Sequence, residues 1–322
     1  MQAIVQDRYG STDVLRLDDI DVPEPGTGAV LIRVRAAGVD RGVWHLMTGE
    51  PYLARLAFGL RRPRNRVPGM DVAGVVERIG AGVTGFAVGD EVFGIGKGTY
   101  AEFAVAPTKK LAHVPEGLSF EHAAAVPISG LTALQAVRDV GTVQPGQSVL
   151  VIGASGGVGT YAVEIATAAG AEVTGVCSTA KMDLVRSIGA AHVVDYTQDD
   201  VVELGKRYDV VIDIAGNRTL RHLRRMLAPK GTLVIVGGEA GGRWLGGIER
   251  NLRAALWSPF IGQRMRAFIS RERGEDIERL AEMIAAGEVR PIVERTFPLA
   301  DAAAAIRQLE DGNARGKVVI TV

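Results

Sequence analysis

The fold is decided by the stretch Val151-Ile152-Gly153-Ala154-Ser155-Gly156-Gly157-Val158-Gly159, in which an apolar strand pattern runs into a glycine-rich turn. The helical pattern Thr160-Tyr161-Ala162-Val163-Glu164-Ile165-Ala166 follows at once. Such a turn brings backbone amides close to a phosphate, and the N-terminus of the helix adds positive partial charge. Gly156 keeps side-chain bulk away from a ligand, and Gly159 lets the helix pack closely on the strand. The stretch predicts a dinucleotide pyrophosphate site, although Ala154 replaces the first glycine of the G-x-G-x-x-G pattern.

Around this turn, short β-branched strand patterns alternate with helical patterns. We predict strands at 148–152, 172–176, 192–195, 209–213 and 232–236, and helices at 158–169, 180–188, 199–206 and 217–227. Repeated strand–helix–strand units with apolar strands are typical of a parallel sheet covered by helices on both faces. The fold class is therefore predicted as α/β, with a doubly wound parallel sheet of the Rossmann type.

The first 120 residues or so have a different pattern, of strands and turns punctuated by glycine and proline. We predict strands at 29–35, 72–79, 88–94 and 100–105, in a partly open β-barrel or β-sandwich. A helical pattern then runs from Ser119 to Val137. The tail is predicted as a strand from Ile292, a helix over 300–309 and a strand over 317–322 that pairs back with the first domain.

Length and charge exclude several functional classes. The 322 residues are enough for about two domains. The 37 basic residues balance the 37 acidic ones, so no overall charge attracts nucleic acid or an anionic membrane. A local exception is the run Arg61, Arg62, Arg64 and Arg66, interpreted as a solvated loop or alternatively as a phosphate or partner contact.

Neither a disulfide nor a membrane segment is expected. Cys177 is the single cysteine, which excludes an intrachain disulfide and a thiolate metal cage. We expect it to pack as a small apolar strand residue rather than act as a nucleophile or redox sensor. No signal-peptide pattern and no apolar run of about 18 residues is visible, so a cytoplasmic protein without stable membrane insertion is expected.

The choice of dinucleotide depends on the end of the strand after the glycine-rich turn, Val176-Cys177-Ser178-Thr179-Ala180-Lys181. Sites that prefer NAD usually carry a carboxylate there, which accepts a hydrogen bond from the ribose 2′-hydroxyl. This strand tip has none, and Ser178 and Lys181 are available to a 2′-phosphate. The pattern favours NADPH. Alternatively, Ser178 only caps the next helix and Lys181 is a solvated lysine.

Motifs spread along the whole chain resemble the medium-chain dehydrogenase/reductase superfamily. They are the sequence from Leu118 onward, the 153–159 turn, Asp195-Tyr196, Gly89-Asp90-Glu91-Val92 and Arg315-Gly316-Lys317-Val318-Val319. The resemblance is to the quinone oxidoreductase branch, including plant and mitochondrial quinone-reductase-like proteins. It implies a β-rich GroES-like catalytic domain (residues 1–121 and 270–322), a Rossmann NADP-binding domain (122–269) and a homodimer.

The positions that carry catalytic zinc ligands in alcohol dehydrogenases of this superfamily hold other residues here. In the segments Gly38-Val39-Asp40-Arg41 and Pro68-Gly69-Met70-Asp71, Asp40 replaces the cysteine and Met70 the histidine. Catalytic zinc needs three N, S or O ligands from the protein. The five histidines show no ligand-like spacing, so we predict no metal.

The resemblance also implies site residues. Thr132 would lie near the nicotinamide, and the remaining cofactor contacts would come from Ala154, Ser155, Gly156, Gly157, Val158, Gly159, Ser178, Lys181, Tyr196, Ala215, Gly216, Val236, Gly237, Gly238 and Lys317. Asp40 and His45 stand where the branch often has Asn and Tyr. Asp40 is expected to contact the nicotinamide region or to donate a proton if buried, against a solvated turn aspartate. His45 is expected to position the acceptor, against a proton donor or a half-buried surface histidine.

These residues predict an NADPH-dependent enzyme that reduces quinones or conjugated enones, which accept hydride without a Lewis acid. Two alternatives stay open: a zinc-free carbonyl or alcohol oxidoreductase, and a non-enzymatic NADPH-binding protein. The segment from Trp244 to Phe260 holds two of the three tryptophans. It is interpreted as core packing or a substrate-pocket lid, with a membrane-surface helix as the alternative.

Overall fold

The computed structural model describes residues 1–237, 242–244, 246–257, 262–312 and 315–322. The chain divides into two compact units. Unit 1 contains Met1–Leu131, Glu272–Gly287 and Pro291–Val322, and unit 2 contains Thr132–Arg271 and Glu288–Arg290. The domain limits of 121/122 and 269/270 given above stay a prediction.

The described strands, in chain order, are β1 (Gln2–Val5), β2 (Arg16–Asp19), β3 (Ala29–Val39), β4 (Asp71–Ile79), β5 (Glu91–Ile95), β6 (Phe103–Pro107), β7 (Leu111–His113), β8 (Ser148–Ile152), β9 (Glu172–Cys177), β10 (His192–Asp195), β11 (Tyr208–Asp213), β12 (Leu227–Ile235), β13 (Arg264–Ala267), β14 (Val293–Pro298) and β15 (Lys317–Thr321). The described α-helices are α1 (Arg41–Thr48), α2 (Arg55–Phe58), α3 (Phe120–Ala124), α4 (Pro127–Gln135), α5 (Gly157–Ala168), α6 (Met182–Ser187), α7 (Leu220–Arg225), α8 (Ile248–Trp257), α9 (Gly274–Ala285) and α10 (Ala302–Glu310).

Unit 1 is built on a seven-stranded sheet in the order β14-β15-β3-β4-β5-β7, with β6 also paired to β3. All its pairs are antiparallel except β14 with β15. The long strand β3 is buried along most of its length, because one core packs on each side of it. β15 pairs with β3 from Val318 opposite Val39 to Thr321 opposite Ala36, which confirms that the last strand returns to the first domain.

Unit 2 contains a six-stranded, fully parallel sheet in the order β10-β9-β8-β11-β12-β13. The chain moves outward from β8 through β9 to β10 and then restarts on the other side of β8 with β11. This reversal of strand order defines a doubly wound sheet. The predicted fold class, a Rossmann sheet combined with a β-rich unit, is confirmed.

The helix predicted over 199–206 is wrong, because residues 201–204 form a turn. The carboxylate of Asp200 accepts the backbone N–H of Val202 at 3.1 Å and pairs with Arg218 at 2.7 Å. A local side-chain bond of this kind competes with the first turn of a helix. Gly205, in the left-handed region at φ 67°, ends the segment.

Two other predicted helices are shorter or divided. The helical pattern after Ser119 is split into α3 and α4, because Pro127 cannot continue a helix and begins a new one. The helix predicted over 217–227 begins only at Leu220, where the Thr219 hydroxyl accepts the N–H of His222. It ends at Arg225 because β12 already starts at Leu227.

Across the described ranges, no helix is both long and apolar enough to cross a bilayer.

Candidate active and cofactor-binding site

The glycine-rich turn of unit 2 is fixed by backbone bonds to the neighbouring strand. Gly153 leaves β8 with φ at 89°, and the N–H groups of Gly153 and Ala154 both donate to the carbonyl of Val176 at 3.2 and 3.1 Å. Gly156 N–H then donates back to the Gly153 carbonyl at 3.2 Å. The conformation of the turn is therefore stabilised by hydrogen bonds within the protein.

The glycines of the turn have different roles. A Cβ on Gly159 would lie 2.0 Å from the carbonyl oxygen of Gly153, so only glycine allows α5 to pack against the end of β8. A Cβ on Gly156 would meet nothing closer than that oxygen, at 3.6 Å. Gly156 thus borders open space, and no side-chain oxygen caps the first turn of α5. Open space beside uncapped amides suits a phosphate.

The alanine at the first glycine position is accommodated by a glycine elsewhere. Ala154 is fully buried, and a Cβ on Gly175 of β9 would lie 3.0 Å from the Ala154 methyl. The missing side chain of Gly175 thus leaves room for that methyl. The departure from the motif does not disturb the turn.

The predicted cofactor residues of unit 2 lie at one edge of the sheet. Parallel register aligns Ile152 with Val176 and Asp213, and Cys177 with Asp195. The loops that follow these strand ends hold Ser178, Tyr196, Ala215, Gly216, Val236 and Gly237. The carboxyl edge beside the reversal of strand order is where open α/β sheets bind ligands. Gly238 lies outside the described residues.

At the end of β9, Ser178 occupies the N-cap position of the 3₁₀ turn Thr179–Lys181, but its side chain makes no capping hydrogen bond. The capping role considered for Ser178 is therefore wrong. Lys181 is half-buried at the end of this turn, and Tyr196 is exposed beyond β10.

Asp195 connects these two loops, a role that the sequence pattern did not reveal. Its carboxylate accepts the hydroxyl of Thr179, and it accepts the N–H and hydroxyl of Thr197 at 2.9 and 2.7 Å. The hydrogen bond from Thr179 is the main cause that lowers the pKa of Asp195. Asp195 thus stabilises the two loops that hold Ser178 and Tyr196, because its carboxylate binds Thr179 in one loop and Thr197 in the other.

The loops after β11 and β12 are held together by Arg250 of α8. Its guanidinium pairs with the fully buried Asp213 and donates to the carbonyls of Gly216 and Gly237 at 3.1 and 3.4 Å. The other Asp213 oxygen accepts the Gly216 N–H at 3.3 Å. Burial raises the pKa of Asp213, and the charge of Arg250 opposes that effect. Arg250 was not among the predicted residues, since nothing local marks it.

Thr132 lies in α4, and its hydroxyl donates to the Ser270 hydroxyl at 3.2 Å. One turn along, Gln135 and Arg271 form a reciprocal pair. The Gln135 amide donates to the Arg271 carbonyl at 2.7 Å and accepts its N–H at 2.8 Å. The segment after β13 is thus fixed on the helix that carries Thr132.

In unit 1, Asp40 is buried and caps the N-terminus of α1. The alternative interpretation of Asp40 as a solvated turn aspartate is therefore wrong. Its Oδ1 accepts the N–H of Val43 at 3.2 Å and so begins α1. Its Oδ2 is buried without a hydrogen-bond partner among the described residues. A buried, unsatisfied carboxylate oxygen is costly and is typical of functional sites.

Asp71 is the centre of a second buried cluster in unit 1. It accepts the N–H of Ile128 at 2.9 Å and pairs with Lys317 Nζ at 3.3 Å, and Lys317 also donates to the Ser129 hydroxyl at 3.2 Å. Burial, opposed by Lys317 and assisted by the Asp40 charge, raises the pKa of Asp71 to about 7. The predicted cofactor residue Lys317 therefore serves a buried network. A cofactor contact from it stays a prediction.

His45 lies in α1 and is half-buried. Its Nδ1 is 2.8 Å from the carbonyl oxygen of Glu50, and a carbonyl only accepts, so Nδ1 carries the proton. In neutral His45 the other nitrogen, Nε2, is therefore a hydrogen-bond acceptor. The imidazole and the Trp44 ring pack edge to face, with ring centroids 5.0 Å apart.

Other predicted features are placed as follows. The described residues include no group of three or more His, Cys, Asp or Glu side chains arranged to hold a metal ion. Cys177 is buried at the end of β9, where burial raises the pKa of its thiol, in keeping with a packing residue. Trp244 and Trp257 are exposed by 73% and 43%, so core packing is wrong for them.

Comparisons with known proteins agree with this arrangement. Residues 26–116 match the alcohol dehydrogenase GroES-like domain, and residues 188–320 match a family described as zinc-binding dehydrogenase. The mouse quinone oxidoreductase is 33% identical, over 99% of this chain and 97% of its own. The mouse mitochondrial NAD(P)H oxidoreductase RTN4IP1 is also 33% identical, over 100% and 89%.

Solved structures extend the comparison. A mycobacterial protein in complex with NADPH is 30% identical and superposes with a TM-score of 0.85 over 100% of both chains. A protein described as NAD-dependent alcohol dehydrogenase is 29% identical, with a TM-score of 0.84 over 100% of both chains. The chain belongs to the medium-chain dehydrogenase/reductase superfamily, in its quinone oxidoreductase branch.

Proposed function

We propose that this protein is a zinc-independent oxidoreductase that transfers hydride from NADPH to a quinone or an α,β-unsaturated carbonyl compound. The observation that carries the proposal is the glycine-rich turn, with open space at Gly156 and an uncapped α5. Similarity to a protein solved with NADPH supports the same cofactor.

The residues at the strand ends fit NADPH. The turn from Ala154 to Gly159 would hold the pyrophosphate against the amides of α5. The free hydroxyl of Ser178, together with Lys181 and Tyr196, would hold the 2′-phosphate. The loops at Ala215–Gly216 and Val236–Gly237 would border the nicotinamide half, near Thr132. When bound, NADPH supplies the hydride, and the protein contributes binding and orientation.

The side chains of unit 1 suit a positioning role. Nδ1 of His45 is engaged by the Glu50 carbonyl, which fixes the imidazole and leaves Nε2 as the ring nitrogen available to the acceptor. The reduced acceptor then takes its proton from solvent. We expect His45→Ala to raise the apparent KM for the acceptor and to change acceptor preference. A fall in kcat of about 10²–10⁴-fold would instead assign general acid catalysis to His45.

Zinc independence rests on the residues at the would-be ligand positions. One oxygen of Asp40 is engaged by the N–H of Val43, and Met70 offers only a thioether, which suits softer metals. Elemental analysis should find no stoichiometric zinc, and chelators should leave activity unchanged. A tightly bound zinc lost together with activity would contradict the proposal.

The second candidate is reduction of simple carbonyls or oxidation of alcohols. The unpartnered Oδ2 of Asp40 favours it, because a carboxylate accepts a hydrogen bond from an alcohol. The similar solved structure described as an alcohol dehydrogenase supports it too.

A homodimer and a cytoplasmic location stay predictions, and light scattering tests the first of them.

The decisive experiment follows NADPH oxidation by absorbance with quinones, enones, aldehydes and alcohols. Quinones or enones should be the best acceptors. Activity with aldehydes alone would favour the second candidate, and NADPH binding without turnover would indicate a non-enzymatic role.

Gly156→Ala should weaken NADPH binding, because its methyl group enters the open space of the turn. Gly26→Ala is the control, since a Cβ at Gly26 meets nothing within 4 Å and this residue lies far from the turn in sequence.

A further inference from the structure

A short segment of unit 1 exposes four large apolar side chains close together. Leu53, Leu56, Phe58 and Leu60 are exposed by 44, 64, 46 and 67%. Single exposed apolar residues are ordinary, but a contiguous group marks an interaction site. We call residues 53–64 the apolar–basic surface.

The backbone places apolar and basic side chains on one compact loop. The 3₁₀ turn Tyr52–Ala54 leads into α2, and the N–H of Arg64 then donates to the carbonyl of Phe58 at 2.8 Å. This bond closes a loop over 58–64. At Gly59, where φ is 120°, a Cβ would lie 2.1 Å from the carbonyl oxygen of Arg62, so the loop is tightly folded on itself.

The base of this loop is fixed to the rest of unit 1. The Tyr9 hydroxyl donates to the Gly59 carbonyl at 2.6 Å. The guanidinium of Arg55 lies 4.6 Å from the Tyr9 ring and 4.5 Å from the Tyr52 ring, and it donates to the Gly49 carbonyl at 2.9 Å. The exposed side chains are therefore presented by a fixed base.

The charge of the segment has one sign. Residues 51–67 contain five arginines and no acidic residue. Arg55 holds the base, and Arg66 pairs with Asp7 at 2.7 Å. Arg61, Arg62 and Arg64 are exposed and form no ion pair with any described residue. Since the whole chain has zero net charge, this positive charge is local.

We infer that the apolar–basic surface binds the interface of an anionic lipid bilayer. Apolar side chains of this kind enter the boundary between headgroups and acyl chains, and arginines close to them are attracted to anionic headgroups. A nucleic acid would pair with the arginines but leave four apolar side chains in water. The inference is independent of the proposed redox activity.

The test is flotation of the full-length protein with vesicles of phosphatidylcholine, with or without phosphatidylglycerol. The protein should float with the anionic vesicles and not with the neutral ones, and high salt should weaken the binding. Arg61→Gln, Arg62→Gln and Arg64→Gln together should weaken it about 10²-fold, at roughly fivefold for each arginine. Leu56→Ser with Leu60→Ser should weaken it by at least about tenfold.

Matched controls lie in unit 2. Leu204→Ser with Ile269→Ser removes two exposed apolar side chains that lie outside α8. The triple variant of Arg221, Arg224 and Arg225 to Gln removes the same charge from α7. Both should bind vesicles as the wild type does.

Several results would overturn the inference. These are absence of wild-type binding to anionic vesicles, equal losses in the controls, and an unchanged affinity of the Leu56/Leu60 variant. Tighter binding to a polyanion such as heparin or DNA than to the vesicles would also overturn it, in favour of a different partner. Circular dichroism confirms that each variant is folded.

Discussion

Each unit buries a carboxylate against a cation, and the two pairs differ in the cation. In unit 1, Asp71 and Lys317 are exposed by only 0% and 2%, and Lys317 makes its further hydrogen bond to the Ser129 hydroxyl. In unit 2, Asp213 is fully buried while Arg250 is exposed by 14%, and the guanidinium also binds two backbone carbonyls. A lysine ammonium is a point charge, whereas the guanidinium is a planar fork that never loses its proton.

The two pairs also differ in the charges that surround the carboxylate. Asp71 is close enough to a second carboxylate, Asp40, for that charge to raise its pKa, so its ionisation changes near neutral pH. Asp213 is held by a cation of fixed charge that also binds the loops expected to border the cofactor. We infer that the first pair responds to its surroundings, and that the second serves as a fixed part of the framework.

Breaking the Lys317 pair should have the largest effect. Lys317→Met leaves the Asp71 carboxylate buried without its cation, which costs about 3–5 kcal/mol in the free energy of unfolding. Loss of the positive charge also raises the pKa of Asp71 further, so the variant takes up a proton. The loss measured by urea unfolding should therefore be smaller at pH 6 than at pH 8. The double variant Asp71→Leu/Lys317→Met should recover most of the free energy of unfolding that Lys317→Met loses. No recovery would argue against a charge effect.

Breaking the Arg250 pair with Arg250→Met should lower the free energy of unfolding by about 2–4 kcal/mol. The loss is smaller than for Lys317→Met because Arg250 is partly exposed, so water can reach Asp213 once the guanidinium is removed. Arg250→Met also releases the carbonyls of Gly216 and Gly237, so NADPH should bind more weakly. Arg250→Lys should restore stability better than cofactor affinity, since one ammonium does not reproduce the fork. The exposed Arg253 of the same helix provides the control, and Arg253→Met should change neither quantity. Unchanged NADPH affinity in Arg250→Met would limit the residue to a stability role.

Lys181 is a half-buried cation and can be compared with the more deeply buried Lys317 and Arg250. Lys181→Ala should weaken NADPH binding by about 1–3 kcal/mol, the scale of a charge-assisted hydrogen bond, and leave NADH almost unchanged. Titration of cofactor fluorescence measures both affinities, with the exposed Lys230→Ala as control. Equal losses for NADPH and NADH would indicate a structural role for Lys181.

Glu164 of α5 is a buried carboxylate whose hydrogen-bond partner is a backbone group. Both of its oxygens accept the N–H of Arg290, at 3.2 and 3.3 Å, and burial raises the pKa of Glu164 to about 7. A raised folded-state pKa gives stability that is present below the unfolded value, near 4.5, and is lost as pH rises through about 7.

Glu164→Gln should remove that dependence. Thermal unfolding should show the variant about 1–2 kcal/mol more stable than the wild type at pH 8. The difference between the two should shrink as the pH falls towards 4.5. The exposed Glu116→Gln is the control, and an identical pH profile for wild type and Glu164→Gln would exclude the assignment.

Local patterns were enough to predict the parallel sheet, the glycine-rich turn and the return of β15, because periodicity and turn residues are neighbours in the chain. They failed at 199–206, where one aspartate side chain competes with the helix. They also gave no sign that Gly175 makes room for Ala154, since that contact joins the turn to the next strand, β9.

The candidate site was predictable where it is made of backbone and unpredictable where it is made of side-chain pairs. Lys317 meets Asp71 across 246 positions and Ser129 across 188, and Arg250 meets Asp213 across 37. A single sequence contains no sign of such pairings. For this reason the roles of Asp71, Ser129, Asp213 and Arg250 emerged only from the structure.

The position of β15 has a consequence for biosynthesis. Because β15 lies between β14 and β3, unit 1 lacks an inner strand until the ribosome has added residues 317–321. All strands of the unit 2 sheet exist once Ala267 has been translated. The unit that holds the first residues is thus completed last, reversing the usual order of cotranslational folding. Until then, the edge of β3 from Ala36 to Val39 is open to wrong partners, and nascent chains stalled before β15 should be clients for chaperones.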